Sequence, residues 1–142
     1  MFKATVRAAA PDGTIAALLA AKGIAVEPLD GAPEKCDRFV LSRRIAVDRR
    51  ATSDFLRAIG DKRLFVHARD LSDNFPVPVI VIEGEDLYGV RAFHPNAIHG
   101  AISALIVQYG CSVLRTGSEA ETAALIAVMA THEQEGVPEI SL

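Results

Sequence analysis

One uninterrupted apolar run, VPVIVIEG at residues 77–84, constrains the fold of this chain more than any other feature. It contains no polar residue before Glu83. A strand with one face in water alternates apolar and polar residues, whereas a continuous apolar run indicates a strand buried on both faces. Other elements must then cover both faces of the sheet. The run therefore predicts a central strand that is covered on both sides.

Strand and helix patterns alternate before and after this run. Strand patterns lie at residues 2–6, 24–28, 39–41, 45–47 and 111–114, and helical patterns begin near Thr14, Thr52 or Ser53, Lys62, Asn96 and Ser118. The strands at 39–41 and 45–47 are close enough in sequence to form an antiparallel hairpin. This alternation predicts an α/β fold in three layers, with a mixed central sheet flanked by helices.

Length and composition indicate one folded domain, residues 1–135, followed by a tail at 136–142. Half of the residues are hydrophobic, which excludes a disordered chain. No apolar run reaches the roughly 18 residues of a membrane span, and the first residues lack the order of a signal peptide. The two cysteines, Cys36 and Cys111, are too few for a disulfide framework. We therefore expect a cytoplasmic protein with two reduced thiols and no membrane partner.

The net charge of −3 is unevenly distributed along the chain. Residues 35–69 contain ten basic and four acidic residues, a net charge of +6, and the remainder carries five basic and fourteen acidic residues, a net charge of −9. A basic segment in an acidic protein favours a polyanionic partner such as a nucleic acid. The alternative is that these side chains solvate the helices and the hairpin, and charge alone leaves both readings open.

Three segments carry a resemblance to a known family. They are FVLSRRIAVDRRATSDFLRAIGDKRLF at residues 39–65, PVIVIEG at 78–84 and HPNAIHGAISAL at 94–105. In this order they resemble the nuclease domain of the XPF family, with its GDY, ERKxxxDF, DxRLxxQ, PxLLIEG and xAIxGAL patterns. The resemblance covers about residues 23–134 and implies a restriction-endonuclease-like version of the predicted fold. It also implies a role in DNA repair and Mg²⁺ or Mn²⁺ as cofactor if the protein is active.

The resemblance further implies a metal site on the predicted hairpin. In the family, carboxylates on adjacent strands hold the ion, and a neighbouring Lys positions the attacking water. Matching without gaps places GDY on Asp37-Arg38-Phe39 and ERK on Asp48-Arg49-Arg50. The candidate catalytic residues are therefore Asp37, Asp48 and Arg50, with Asp37 and Asp48 as the candidate metal ligands.

Several positions depart from the family pattern. Arg38 stands where a metal-binding Asp is expected, and a fixed positive charge there repels the ion. Asp37 lies one residue earlier, which turns it to the opposite face of a strand unless a bulge restores its direction. The acidic element that ends the family's first strand is replaced by Arg7-Ala8-Ala9-Ala10. Asp54 and Arg63, in contrast, match family positions.

Three functions are compatible with these residues. We favour a DNA-binding module, weakly active or inactive, that acts on branched or junction DNA independently of sequence. One alternative is an active structure-specific endonuclease in which Asp37, Asp48 and Glu83 gather one ion. The other is a protein-interaction domain that retains the fold. Phosphate contacts without base readout are expected from a set of five arginines, namely Arg43, Arg44, Arg49, Arg50 and Arg63.

The resemblance also implies partners. Family nuclease domains pair through the side that carries the helix at residues 96–108 and the helix that starts at Ser118, and Ile98, Ile102 and Leu105 are the candidate interface residues. We therefore expect a homodimer, or a heterodimer with an active nuclease subunit, in a nucleoid-associated cytoplasmic location. The family's helix-hairpin-helix domain has no counterpart after Gln134, so we expect weak DNA binding by this chain alone.

Overall fold

Six strands form one mixed sheet with helices on both faces, in the computed structural model that describes residues 2–85, 87–89 and 94–137. The strands of these residues are β1 (Thr5–Ala8), β2 (Ala25–Pro28), β3 (Asp37–Val40), β4 (Ile45–Ala51), β5 (Val77–Glu83) and β6 (Ser112–Thr116). The helices are α1 (Thr14–Ala21), α2 (Thr52–Gly60), α3 (Arg63–Asn74), α4 (Pro95–Val107) and α5 (Glu119–Glu135). The strand order is β2-β1-β3-β4-β5-β6, which confirms the predicted three-layer α/β architecture.

Strand β5 is buried on both faces, as the apolar run predicts, but it is the fifth of the six strands and does not lie at the centre of the sheet. It lies between β4 and β6 and is parallel to both. Val79 and Val81 pack into the core under α1 and α5, whereas Ile80 and Ile82 pack into the core under α2, α3 and α4. The continuous apolar pattern follows from this arrangement, because both faces of β5 are covered by helices.

The β3–β4 hairpin is longer than its two apolar runs. Its antiparallel ladder pairs Asp37 with Arg49 and Arg38 with Asp48, and continues in regular register to the turn. Strand β4 runs on to Ala51 because all of its residues pair with the parallel strand β5. This pairing draws three charged residues into the sheet at the end where β4 meets α2.

The starts of two helices differ in how well the sequence predicts them. Ser118 caps α5 as expected, its Oγ accepting from the amide of Glu121 at 3.2 Å. The expected cap of α2 by Thr52 or Ser53 is wrong: Ala51 takes the cap position, and the hydroxyl of Thr52 donates to the carbonyl oxygen of Glu83 at 3.1 Å. The hydroxyl of Thr52 therefore connects the end of β5 to the start of α2 and does not cap that helix.

The apolar face of α4 is used inside the molecule. Ile98 and Leu105 have no exposed surface, and the partly buried Ile102 packs against the same core. The expectation that Ile98 and Leu105 form a dimer interface is therefore corrected, because both side chains are buried inside the molecule, where α4 packs on α2 and β6. Ile106 and Val107, which are 50% and 82% exposed, are the apolar residues that α4 presents to its surroundings.

Helix α5 ends at Glu135, and residues 138–142 of the expected tail lie outside the described residues. Within the described ranges, no helix combines the length and the apolar character that crossing a membrane requires.

Candidate active site

A buried ion pair occupies the position where the family resemblance implies a metal ion. Arg38 of β3 and Asp48 of β4 face each other across the hairpin, with side chains 4% and 3% exposed. Arg38 Nε donates to Asp48 Oδ1 at 2.7 Å, and Nη2 donates to Oδ2 at 3.1 Å. This bidentate arrangement is the strongest form of the arginine–carboxylate contact, because two parallel charge-assisted hydrogen bonds form at once. Both carboxylate oxygens of Asp48 are therefore engaged.

Helix α3 closes the other side of the Arg38 guanidinium. Arg38 Nη1 donates to Asp70 Oδ2 at 2.5 Å, and Nη2 lies 3.5 Å from the carbonyl oxygen of His67. Asp70 is 38% exposed, so this carboxylate also reaches water. The contacts with Asp48 and Asp70 raise the pKa of Arg38 against the opposing effect of burial. Every nitrogen of the guanidinium thus has an oxygen acceptor.

A second arginine lies beside this group on the same face of the sheet. Arg50 donates to Asp54 Oδ2 at 2.8 Å, and its Nη2 is 2.5 Å from His67 Nδ1. Asp54 Oδ1 also accepts from Arg63 at 3.0 Å, so one carboxylate serves two guanidinium groups. Burial lowers the pKa of His67, and the charge of Arg50 lowers it further. His67 is therefore a neutral acceptor for Arg50 at pH 7.

On the opposite face of the sheet the arginine lies on β4 and the aspartate on β3. Arg49 donates to Asp37 Oδ2 at 3.0 Å and makes a bidentate contact with Glu83. The hydroxyl of Thr122 donates to Glu83 Oε1 at 2.6 Å. Burial raises the pKa of Glu83, but the bonds from Arg49 and Thr122 outweigh it, and the net pKa is lowered. Burial raises the pKa of Asp37 despite its contact with Arg49.

These contacts decide which candidate ligands the structure brings together. In the regular ladder Asp37 lies on the face of Arg49 and Asp48 on the face of Arg38, so the two aspartates point to opposite sides of the sheet. No bulge restores Asp37 to the side of Asp48. At the end of β1, the amide of Ala9 donates to the carbonyl oxygen of Arg38 at 2.9 Å, and the segment Arg7-Ala8-Ala9-Ala10 contains no carboxylate.

The side chains present do not fit the divalent ion that the resemblance implies. Mg²⁺ and Mn²⁺ need several free oxygen ligands, whereas Asp48 has both oxygens bound to a guanidinium. Among residues 2–85, 87–89 and 94–137, no three His, Cys, Asp or Glu side chains are grouped so that they could hold a metal ion.

The thiols add no nucleophile to the site. Cys36 and Cys111 are both buried and free. Burial raises the pKa of Cys36, and the nearby Asp48 raises it further. Burial also raises the pKa of Cys111, to about 11. Since the thiolate is the reactive form, both cysteines are structural at neutral pH.

The arginines expected to bind DNA fall into two groups. Arg43 and Arg44 are exposed at the β3–β4 turn, where Arg44 pairs with Glu133 of α5 at 2.7 Å. Three others take part in the ion pairs described above, with side chains at most 20% exposed, namely Arg49, Arg50 and Arg63. Only the turn arginines of this set are accessible to a phosphate without breaking a buried contact.

Sequence reasoning missed the acids that neutralise the basic segment. Asp70 lies within a predicted helix and Glu133 at the end of another, and nothing in either local pattern indicates an arginine partner. Glu83, a candidate metal ligand of the endonuclease alternative, pairs with Arg49 instead. Of the ten basic residues at 35–69, six form ion pairs with described residues, namely Arg38, Arg44, Arg49, Arg50, Arg63 and Arg69.

Curated proteins of two archaea are similar to this chain. A Methanocaldococcus jannaschii protein named as an ATP-dependent RNA helicase is 36% identical over 96 residues, which cover 68% of this chain and 12% of that protein. The 3′-flap repair endonuclease Xpf of Saccharolobus solfataricus is 26% identical over 100 residues, which cover 69% of this chain and 42% of that protein. The chain therefore spans less than half the length of either relative.

Solved structures and a family model agree with these matches. XPF from Aeropyrum pernix superposes with a TM-score of 0.78 at 25% identity, covering 93% of this chain and 65% of that one. The same protein in complex with DNA gives a TM-score of 0.79 at 24% identity, covering 93% and 66%. The model of the ERCC4 domain matches residues 8–129. Since that match spans most of its length, the chain belongs to the ERCC4-domain family, the family of the XPF nucleases.

Proposed function

We propose that this chain is a DNA-binding module of the XPF family that hydrolyses DNA weakly or not at all and acts on branched or junction DNA in repair. One observation carries the proposal: the Arg38 guanidinium holds both oxygens of Asp48. The name of the Saccharolobus solfataricus relative, a 3′-flap repair endonuclease, supports branched DNA as the class of DNA on which this chain acts. The Aeropyrum pernix structure in complex with DNA supports DNA as the partner.

The ion pairs argue against efficient hydrolysis. Phosphodiester cleavage by a metal needs an ion that stabilises the developing charge and lowers the pKa of bound water. Arg38 and Asp48 neutralise each other instead, and Arg50, at the position of the family's Lys, is held by Asp54 and His67. Removing one preorganised electrostatic stabiliser costs about 100- to 1000-fold in rate. Changes at several positions together leave little activity.

Binding to DNA rests on the exposed cations of the basic segment. Arg43, Arg57 and Lys62 are exposed and form no ion pair with the described residues. Such side chains contact phosphates without reading bases. Because only a few contacts form, the affinity of this chain alone is weak and independent of sequence.

Fluorescence anisotropy with forked and duplex DNA at low salt tests this proposal. We expect binding that weakens with salt, with a log–log slope of about −0.9 for each phosphate contact on duplex. Arg43→Ala should lower both the affinity and the slope, whereas Lys22→Ala, an equal charge change at an exposed residue outside the basic segment, serves as the control. An absence of binding to either DNA would favour a protein-interaction domain instead.

An active endonuclease is the second candidate, and one observation favours it. Oδ1 of Asp37 is buried and has no hydrogen-bond partner among the described residues. Glu83 and Glu119 lie near the same Arg49, the latter at 3.9 Å. Binding of a DNA phosphate to Arg49 would draw the guanidinium away from Asp37 and Glu83 and free these two carboxylates. Metal-dependent cleavage lost on Asp37→Asn but retained on Asp48→Asn would establish this alternative.

We also propose that the chain pairs through the side of the fold formed by β6 and α5. Strand β6 ends the sheet within the described residues. A groove of about 500 Å³ beside it is lined mainly by apolar atoms of Leu114, Leu125 and Val128. Light scattering should give a mass near twice 15.2 kDa, and Val128→Asp should halve it. A monomeric wild type at tens of micromolar, on the order of a weak interface's dissociation constant, would refute the pairing.

A further inference from the structure

The turn between β3 and β4 carries a group of hydrogen-bond donors that meet on one carboxylate. Glu133 Oε2 accepts from the hydroxyl of Ser42 at 2.6 Å and from Arg44 Nε at 3.0 Å, and its Oε1 accepts from Arg44 Nη2 at 2.7 Å. The turn fixes the Ser42 hydroxyl, because its Oγ accepts from the amides of Arg44 and Ile45 at 3.0 and 3.1 Å. Three donors of one short turn are therefore directed at one anionic group.

This set of donors suits a phosphate as well as it suits a carboxylate. A guanidinium presents two parallel N–H groups, which match two oxygens of either anion. Serine hydroxyls also donate to DNA phosphates. The hydrogen bonds from Arg44 and Ser42 lower the pKa of Glu133 to about 2, so its carboxylate is an anion at neutral pH. Glu133 therefore occupies a position that a phosphate would also fit.

We propose that Ser42 and Arg44 form a phosphate-binding site that takes a backbone phosphate of DNA, and that Glu133 occupies this site in the free protein. This inference rests on the proposed function, because it names one contact of the DNA that the function requires. The phosphate binds by displacing the Glu133 carboxylate from Arg44. Glu133 therefore lowers the affinity of the chain for DNA.

The guanidinium of Arg44 is open to solvent although it is paired. The side chain of Arg44 is 62% exposed, and Glu133 is its one ion-pair partner within the part of the chain that the structure describes. A depression of about 230 Å³ beside the pair is lined by Arg44, His132 and Glu133 together with apolar side chains. A phosphate can therefore reach the guanidinium from solvent, next to its present partner.

Release of Glu133 leaves the end of α5 attached to the sheet. Gln134 Nε2 donates to the carbonyl oxygens of Thr5 and Leu41 at 2.6 and 2.9 Å, and Gln134 Oε1 accepts from the amide of Thr5 at 2.9 Å. These bonds hold α5 to β1 and to the residue that follows β3. The carboxylate of Glu133 can therefore exchange for a phosphate while the fold stays intact.

The site is separate from the buried ion pairs of the hairpin. Arg44 directly precedes β4, and Asp48 follows it by four residues, which is about 13 Å along an extended strand. A phosphate bound at the turn therefore leaves the contact between Arg38 and Asp48 in place.

Fluorescence anisotropy with labelled duplex and forked DNA at low salt tests the proposal on the full chain. Glu133→Gln should bind DNA about two- to fivefold more tightly than the wild type, since an exposed ion pair opposes binding by no more than this. Glu135→Gln, an equal charge change at an exposed residue of the same helix, is the matched control and should change the affinity less. In an Arg44→Ala background the gain from Glu133→Gln should fall to that of Glu135→Gln, because no guanidinium remains to be released.

Inorganic phosphate provides a second measurement that does not depend on DNA. Titrating it into Glu133→Gln should shift the nuclear magnetic resonance signal of the Arg44 Nε–H group saturably, and the shift should be smaller in the wild type. An unchanged signal in Glu133→Gln would overturn the proposal, as would equal gains in DNA affinity for Glu133→Gln and Glu135→Gln. Phosphate binding at Arg44 without DNA binding by any variant would support the phosphate site and overturn the proposed function, so the two failures are distinguishable.

Discussion

Replacing both members of the Arg38–Asp48 pair should be far less harmful than replacing either one. Removing one partner of a buried ion pair costs about 3–5 kcal/mol, because the other charge remains buried and uncompensated. Both side chains are at most 4% exposed, so water cannot enter to solvate the survivor. We therefore expect Arg38→Met to lose about 3–5 kcal/mol of unfolding free energy, and Asp48→Leu to lose an amount at the lower end of that range because Asp70 still pairs with Arg38. That is a large part of the about 5–15 kcal/mol typical of a domain.

The double variant Arg38→Met with Asp48→Leu removes both charges and leaves apolar groups of comparable volume. Such replacements of whole buried pairs are often neutral or stabilising by about 1–4 kcal/mol. Asp70 loses its partner but is partly exposed, so water can solvate it. We expect the double variant to be within about 1 kcal/mol of the wild type or above it, and the double-mutant cycle to show strong coupling.

Urea unfolding followed by far-UV circular dichroism measures these free energies, since the chain has no tryptophan to report by fluorescence. For a domain near this size, each kcal/mol corresponds to about 2–4 °C in Tm. The single variants should therefore melt about 6–20 °C lower than the wild type. Single variants that lose less than about 1 kcal/mol, the range of exposed pairs, would refute the argument. A double variant that loses the sum of both singles would refute it equally.

Two further predictions concern pH. Because the pKa of His67 in the folded protein is lowered from 6.5, its stabilising contribution is present above pH 6.5 and is lost as the pH falls through the lowered value. His67→Asn keeps an acceptor for Arg50 but cannot be protonated, so urea unfolding across this range should show a flatter pH dependence than the wild type. Hydrogen bonds from Arg44 and Ser42 lower the pKa of Glu133 from 4.5 to about 2, so its contribution is lost as the pH falls between these values. Glu133→Gln should remove that part of the acid dependence, and an unchanged acid profile would show that solvent screens the contact.

Features that depend on neighbours in sequence could be predicted well. The run at 77–84 indicates a strand covered on both sides because burial on both faces removes the need for polar residues. Ser118 and Glu121 are three residues apart, so their capping contact is also local. The Thr52 cap failed because the carbonyl oxygen of Glu83, 31 residues away in sequence, competes for its hydroxyl.

The ion pairs of Arg38 with Asp70 and of Arg44 with Glu133 could not be predicted because the partners are distant in sequence. Asp70, a partner of Arg38, is separated from it by 32 residues in sequence. Glu133, the partner of Arg44, is separated from it by 89 residues. A segment with a net charge of +6 therefore indicates an anionic surface partner only if the acids elsewhere in the chain do not fold onto it. The same limit applies to Ile98: helical spacing shows that α4 has an apolar face, but not whether the sheet or a second chain covers it.

The alignment of Arg38 with a metal-binding position could be predicted, but its consequence for Asp48 could not. Sequence reasoning indicated that a positive charge repels the ion. The structure adds a bidentate contact that occupies both oxygens of Asp48, and a third acceptor from α3. The site is therefore saturated by internal contacts, which is a stronger constraint on chemistry than repulsion alone.

Nicking of a labelled 3′-flap substrate in Mn²⁺ or Mg²⁺, with Asp48→Asn as control, shows whether the Arg38–Asp48 pair leaves this chain without nuclease activity. We predict that the wild type cleaves at the same negligible rate as Asp48→Asn, because the Arg38 guanidinium holds the carboxylate that an ion would need. Metal-dependent cleavage by the wild type that disappears in Asp48→Asn would contradict the account, since it would show that Asp48 releases Arg38 and binds the ion.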